Sequence, residues 1–176
     1  NERTYPNNAG ILMDRNLGAF SATPGDVGAL GLLYQWGRKD PFPGSASISE
    51  DIISAATGTW TTSELKDINS TEMNPMVLST DLSSFPDNAW SSGKTAYDPC
   101  PYGWRVPNGY EDGPWYIAGF KFTSFDEVNK GISLDLGNGT STWYPAIGSR
   151  YRTEIGSVGK SGYYWTSTSD SYARYS

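Results

Sequence analysis

The sequence predicts an α+β fold made of short antiparallel strands, two or three short helices and long loops. The chain has 20 Gly and 11 Pro among 176 residues, a content that favours turns over long regular elements. It also has 7 Trp, 12 Tyr and 6 Phe, which supply apolar area for a core although only 18% of the residues are charged. No linker, repeat or low-complexity block divides it, so we expect a single domain over residues 1–176.

The first third of the chain predicts one strand and two short helices. The apolar run Ile11–Met13 reads as a strand that ends in a turn at Asp14. Asp26 is a helix-capping residue type and predicts a short helix that reaches towards Leu33. A second helix is predicted over residues 47–56, because three apolar residues recur there at a spacing of four: Ile48, Ile52 and Ala56.

The next segment, residues 67–98, is mostly polar and predicts a long surface excursion held by a few apolar side chains such as Trp90. After it, residues 124–127 (SFDE) fit a capping box and predict a helix over 125–130 that ends at Gly131.

Strand patterns dominate the last third of the chain. Residues 132–136 alternate apolar and polar side chains, Asn138-Gly139 is a strong two-residue turn, and residues 140–144 can return as the second strand of a hairpin. Residues 163–169 alternate aromatic and hydroxyl side chains, which predicts a half-buried strand near the centre of a sheet.

Composition excludes several kinds of active site. The chain has no His and one Cys, which removes imidazole-based nucleophile systems, His-ligated metals and dithiol redox sites. We therefore expect no cofactor, no metal site of these kinds and no enzyme activity, while a structural calcium on oxygen ligands of residues 72–75 or 87–90 stays open. A carboxylate pair of the glycosidase kind stays open as an alternative, because Asp and Glu are plentiful but their separation is not readable from sequence.

Charge and hydropathy also limit the partners. The formal net charge is −6 with no basic run, so nucleic acid is not expected as a partner. No apolar stretch approaches the roughly 18 residues of a transmembrane helix.

Four short strings occur in a fixed order and are called here the first to fourth signatures: residues 14–19 (DRNLGA), 31–38 (GLLYQWGR), 98–107 (DPCPYGWRVP) and 162–167 (GYYWTS). Together they resemble the major paralogous domain family named after Fibrobacter succinogenes, which is frequent in surface lipoproteins and fimbrial proteins of Bacteroidetes. The resemblance covers residues 10–169 and implies a C-type-lectin-like fold.

The same resemblance implies that a final strand, which carries a cysteine in the family, is missing after residue 176. The expected domain is then a C-type-lectin-like domain without its last strand, and the sheet edge beside residues 163–169 is expected to be open to a strand from elsewhere. Cys100 is either the partner of that missing cysteine or a buried free thiol.

Aromatic and arginine side chains are predicted to divide between core and ligand site. We expect Trp36, Trp104 and Trp165 in the core, with indole N–H groups that donate to backbone carbonyls. The arginines of the signatures are expected to tie loop carbonyls or acids. The candidate ligand-binding residues lie outside the signatures, between Gly- and Pro-bearing loops: Trp115, Tyr116, Trp143, Tyr144, Arg150, Tyr151 and Arg152.

These observations favour a non-enzymatic, extracellular recognition or adhesion module at the cell surface, as a fimbrial tip or surface lipoprotein. Its partners would be a glycan or protein ligand on a host or neighbouring cell, with fimbrial subunits beside it. Two alternatives stay open: a ligand-display protein with variable positions around residues 163–176, and a carbohydrate-active enzyme that uses a carboxylate pair.

Overall fold

The structure is a computed structural model in which most of the chain is described. Only the backbone is described for residues 52–54, 151, 154 and 172–175. The described residues are 1–34, 36–37, 39, 41–49, 52–54, 89–120, 124–137, 139–151, 154–168 and 172–175.

Nine short strands form four small antiparallel sheets in the described part of the chain. Three sheets have two strands each, with β1 beside β2, β4 beside β5 and β8 beside β9, and the fourth has the order β3-β7-β6. The strands are β1 (Glu2–Tyr5), β2 (Gly10–Met13), β3 (Ile52–Ser54), β4 (Gly131–Gly137), β5 (Thr140–Pro145), β6 (Ser149–Tyr151), β7 (Glu154–Gly156), β8 (Gly162–Trp165) and β9 (Tyr172–Tyr175). This mixed architecture with very little helix is compatible with the α+β class.

Helix is confined to single turns in the described residues. They are two 3₁₀ helices, Val27–Ala29 and Tyr110–Asp112, and one α-helix, α1 (Pro114–Ile117). Asp26 caps the first of them as predicted, since its carboxylate accepts a hydrogen bond of 2.8 Å from the Gly28 N–H. The helix does not continue to Leu33, because Gly31 has a φ of 73° in the left-handed region.

The predicted helix over residues 47–56 is wrong where the structure describes it. Ile52–Ser54 form β3, which pairs antiparallel with β7. Ile is β-branched and favours strands. Pairing with β7 therefore outweighs the helical spacing of the three apolar residues on which the prediction was based. Residues 50–51 and 55–56 lie outside the described residues.

The predicted helix over residues 125–130 is also wrong, and the segment is a turn. Asp126 Oδ1 accepts hydrogen bonds of 2.9 Å from the Val128 and Asn129 N–H groups. These bonds have the geometry of an N-cap, but a single turn follows, closed by the Lys130 N–H that donates to the Asp126 carbonyl at 2.8 Å. Lys130 then takes a left-handed φ of 56° and leads directly into β4.

The hairpin of β4 and β5 is confirmed. Leu134 lies opposite Thr142, and Ser133 lies opposite Trp143. Ile132, Leu134 and Leu136 are buried while Ser133 and Asp135 are exposed, so one face of β4 is turned to the core. Gly139 has the left-handed φ of 73° that the turn requires, and Asn138 lies outside the described residues.

The two ends of the chain each form a strand pair. The strand predicted at Ile11–Met13 lies within β2, and its partner β1 had no signal in the sequence analysis. The strand predicted over residues 163–169 is shorter, and its predicted place near the centre of a sheet is wrong, because β9 is its one strand neighbour in the described chain and the Ser167 N–H donates to the Pro107 carbonyl instead. One edge of β8 is therefore covered by residues 172–175 of the chain itself.

The core consists of small clusters between these sheets. Trp36, Ala89, Trp90 and Val106 form the cluster that concerns the signatures, and Tyr34, Cys100 and Trp165 pack against it. Trp90 is buried as the sequence analysis expected, whereas residues 67–88 of the predicted surface excursion lie outside the described residues. In the described residues, no helix is both long and apolar enough to cross a membrane.

Candidate functional site

The first and second signatures are held side by side by a close backbone approach at Gly31. A Cβ atom at Gly31 would lie 2.7 Å from the Leu17 carbonyl oxygen, so only glycine fits there. The Leu32 N–H donates to that same carbonyl at 3.0 Å, and Asn16 Nδ2 donates to the Leu30 carbonyl at 3.0 Å.

The third signature is shaped by Asp98, whose side chain is fully buried. Asp98 Oδ1 accepts hydrogen bonds of 2.9 Å from the Cys100 N–H and from Lys94 Nζ, while Oδ2 accepts one of 2.9 Å from the Val106 N–H. One carboxylate thus joins both ends of the loop, and the charged hydrogen bonds offset the cost of its burial.

A tight turn inside this loop positions Trp104. The Trp104 N–H donates to the Pro101 carbonyl at 3.0 Å, and Gly103 has a φ of 84°. A positive φ at the third position is typical of a type II turn, which explains the order of proline and glycine in the third signature.

The fourth signature connects to the second and third through backbone carbonyls. The Trp36 indole N–H donates to the Thr166 carbonyl at 3.2 Å, and the Trp165 indole N–H donates to the Tyr34 carbonyl at 2.7 Å. The Ser167 N–H donates to the Pro107 carbonyl at 2.7 Å. The prediction that signature tryptophans donate to backbone carbonyls is therefore confirmed for Trp36 and Trp165.

All four signatures contribute walls to one cavity of about 430 Å³. Its lining is mostly apolar and rich in Trp and Tyr, and it includes β2 and part of the β4–β5 hairpin. A volume of this size is typical of a small-molecule site. The signatures therefore contribute both to the core and to the wall of this cavity.

Asp14 and Arg15 form a fork-shaped ion pair at this cavity, as the sequence analysis predicted for the signature arginines. Arg15 Nε and Nη2 donate to the two Asp14 oxygens at 2.7 and 3.0 Å, and Arg15 Nη1 donates to the Phe20 carbonyl at 3.2 Å. The hydrogen bonds from Arg15 hold the pKa of Asp14 below its ordinary value. Asp14 therefore stays ionised and engaged.

Arg105 also lines the cavity but, unlike Arg15, it is not paired with a carboxylate. Its Nη1 donates to the Val106 carbonyl at 2.9 Å and to Asn108 Oδ1 at 2.7 Å, and both acceptors are neutral. Within the described chain, the ion pairs are Arg15 with Asp14, Lys94 with Asp98 and Lys130 with Glu127, so Arg105 takes part in none of them. Arg38, the remaining signature arginine, lies outside the described residues.

Cys100 also lines the cavity, as a protonated thiol. Burial raises the pKa of Cys100 to about 12, and the neighbouring Asp98 carboxylate adds to that effect. Burial likewise raises the pKa of Tyr34, with a further contribution from Cys100. Both groups are neutral at physiological pH, and neither is an activated nucleophile.

The structure brings four of the seven predicted site residues to this cavity: Trp115, Trp143, Tyr144 and Arg150. They are half-buried or buried, with Arg150 only 2% exposed and stacked 5.1 Å from the Phe42 ring centroid. Tyr116 is 64% exposed and is not part of the lining. The side chain of Tyr151 and all of Arg152 lie outside the described residues.

The predicted residues that line the cavity are fixed by hydrogen bonds and packing. The Trp115 indole N–H donates to the Tyr144 hydroxyl at 2.8 Å, and the Tyr144 hydroxyl also bonds to that of Tyr5. Burial, and then the proximity of Tyr5, raises the pKa of Tyr144 well above its ordinary value. Trp115 and Tyr144 are therefore fixed parts of the cavity wall.

Sequence analysis missed Tyr34, Trp104 and Arg105 as site residues. All three belong to signatures: Trp104 was expected in the core and Arg105 in loop support, and Tyr34 had no predicted role. The signal that was present is the mixture of an aromatic, a cation and two prolines in the third signature, which suits a rigid cavity wall as well as a core.

Comparison of the chain with models of protein families, with curated proteins and with solved structures finds no match. Among the residues that the structure describes, no group of three or more Cys, Asp and Glu side chains is placed to hold a metal ion.

Proposed function

We propose that this protein is a non-enzymatic recognition module with a C-type-lectin-like fold, which binds its ligand in the cavity framed by the four signatures. The single observation that carries the proposal is that cavity: about 430 Å³, lined mostly by aromatic and apolar side chains with a few fixed polar groups. Rigid walls lower the entropy lost when a ligand binds.

The state of the cavity groups favours binding over catalysis. A glycosidase needs one carboxyl group that is protonated at its working pH, and Asp14 is the opposite because Arg15 keeps its pKa low. A thiol nucleophile needs a lowered pKa, and that of Cys100 is raised to about 12.

The order and residues of the four signatures resemble a family that is frequent in surface lipoproteins and fimbrial proteins. This resemblance supports a location at the cell surface, in a lipoprotein or fimbrial assembly. In that setting the ligand is a glycan or a protein on a host or neighbouring cell. The net charge of −6 opposes a nucleic-acid ligand.

The proposal is tested with glycan and peptide arrays probed by the purified chain. We expect a defined set of bound glycans or peptides and no released product when the bound compounds are followed by chromatography. Ala9→Trp, which places a large ring at the cavity lining, should abolish binding, whereas Tyr102→Ala at a fully exposed turn should not. Hydrolysis of a glycan, or binding that Ala9→Trp leaves intact, would contradict the proposal.

A further inference from the structure

Three residues of the cavity wall carry side-chain donors that have no hydrogen-bond partner in the part of the chain that the structure describes. They are the Tyr34 hydroxyl, the Trp104 indole N–H, and the Nε and Nη2 groups of Arg105. The indoles of Trp36, Trp90, Trp115 and Trp165 each donate to an oxygen, whereas that of Trp143, in the same lining, is buried without a described partner. A set of groups that can all donate, one of them a guanidinium, is suited to an anionic group.

The three groups belong to one neighbourhood. Cys100 lies close enough to Tyr34 to affect its titration, and Arg105 in turn affects that of Cys100. Tyr34 and Cys100 also pack against one cluster that contains Val106, the residue after Arg105. Trp104 precedes Arg105 in the rigid third signature.

Two carboxylates near the donors, those of Asp98 and Asp14, are already engaged. Asp98 receives hydrogen bonds from Lys94 and from two backbone N–H groups, and Asp14 is held by Arg15. Asp112 lines the cavity but forms no ion pair with Arg105 in the described structure. A guanidinium in a mostly apolar wall is stabilised when an anion completes its hydrogen bonds.

We infer that the ligand is a sugar that carries a carboxylate, as uronic and sialic acids do, and that Arg105 binds this carboxylate with Tyr34 and Trp104 beside it. The inference rests on the proposed function and narrows its ligand. Arg105 provides the planar fork that matches a carboxylate, and the aromatic walls suit the apolar face of a sugar ring. An acidic peptide offers the carboxylate without that ring, so the sugar is the better fit.

The experiment compares matched acidic and neutral sugars by titration calorimetry and ligand-observed NMR. The probes are methyl glucuronide with its methyl ester and with methyl glucoside, and N-acetylneuraminic acid with its methyl ester. We expect at least one free acid to bind about tenfold or more tightly than its neutral counterpart, the size of one charged hydrogen-bonded contact. A peptide that ends in Glu-Glu serves as the non-sugar source of carboxylate.

Variants assign the effect to the donors. Arg105→Met should weaken binding of the acid by about tenfold or more and leave binding of the ester unchanged. Its matched control is Arg3→Met, since Arg3 lies in β1 and outside the cavity lining. Tyr34→Phe removes a hydroxyl that has no partner in the described chain, so it should fold normally and weaken the acid by a few fold, whereas Tyr102→Phe should have no effect.

Equal affinity of acids and esters would overturn the inference but leave the proposed function in place if the arrays show other ligands. Binding of the Glu-Glu peptide in place of the sugars would overturn it in favour of a protein ligand. If Arg105→Met does not fold, the acid-ester comparison and Tyr34→Phe still test the assignment. The assignment is overturned if the ester binds as tightly as the acid and Tyr34→Phe binds the acid as tightly as the unaltered protein.

Discussion

Two groups of aromatic residues in or beside the signatures differ in whether their side-chain donors are paired. Trp90 packs against both Trp36 and Trp165, with ring centroids 5.9 Å apart for Trp36 and Trp90 and 6.4 Å apart for the edge-to-face pair of Trp90 and Trp165. Each of their indole N–H groups donates to a carbonyl oxygen. Tyr34 and Trp104 line the same cavity as Trp90 and Trp165, but their side-chain donors bond to no described residue.

The arginines show the same contrast. Arg15 meets a carboxylate from the residue before it and uses all three nitrogens, whereas Arg105 meets two neutral oxygens through one nitrogen. The difference teaches that a signature residue is structural when its neighbours complete its hydrogen bonds. Where neighbouring residues leave its donors unpaired at a cavity, the residue can contact a ligand there.

The largest expected difference between the two groups is in the free energy of unfolding that is lost when Trp36 or Trp104 is replaced by alanine. Trp36→Ala should lower the free energy of unfolding by about 3 to 5 kcal/mol, because a large ring is lost from a closed cluster. Trp104→Ala should lower it by about 1 to 2 kcal/mol, since Trp104 is half-buried at the cavity. Urea unfolding followed by circular dichroism measures both, and equal losses would mean that Trp104 is core.

Cys100 packs against the cluster of Trp36 and Trp90 and also lines the cavity, so its reactivity measures how accessible the cavity wall is at that point. With a pKa raised to about 12, the folded thiol at pH 8 should react with iodoacetamide about a hundredfold more slowly than the urea-unfolded thiol. The folded rate should rise as pH increases above 8, because the thiolate population grows towards the pKa. Cys100→Ser gives the background, and a folded rate equal to the unfolded one would place the thiol in open solvent.

The smallest effect is expected from removing single tyrosine hydroxyls. Tyr5→Phe deletes one partner of the bonded pair with Tyr144 and should cost about 1 kcal/mol of unfolding free energy. Tyr34→Phe deletes a hydroxyl that no described group binds and should change stability by less than about 0.5 kcal/mol. Thermal unfolding of both variants provides the measurement, and a larger loss for Tyr34→Phe would show that its hydroxyl has a structural partner.

Local patterns were sufficient where the physical cause is local. The alternation of Ile132, Leu134 and Leu136 with a turn after them predicted the β4–β5 hairpin, and Asp26 predicted its own cap. The same kind of reasoning failed for residues 52–54 and 125–130. At residues 52–54 a distant strand, β7, offered hydrogen bonds that a helical pattern does not reveal, and at residues 125–130 the left-handed φ of Lys130 ends the segment after one turn.

The sequence by itself determined that this chain is rich in glycine, proline and aromatic residues, and that histidine-based and dithiol chemistry is excluded because it lacks histidine and has one thiol. Only the tertiary structure decided which signature residues are core and which line a cavity. Trp36 and Trp104 are the same residue type in similar strings, and one is enclosed by Trp90 and Thr166 while the other borders open space. Sequence specifies the donors, but long-range packing decides which donors find partners.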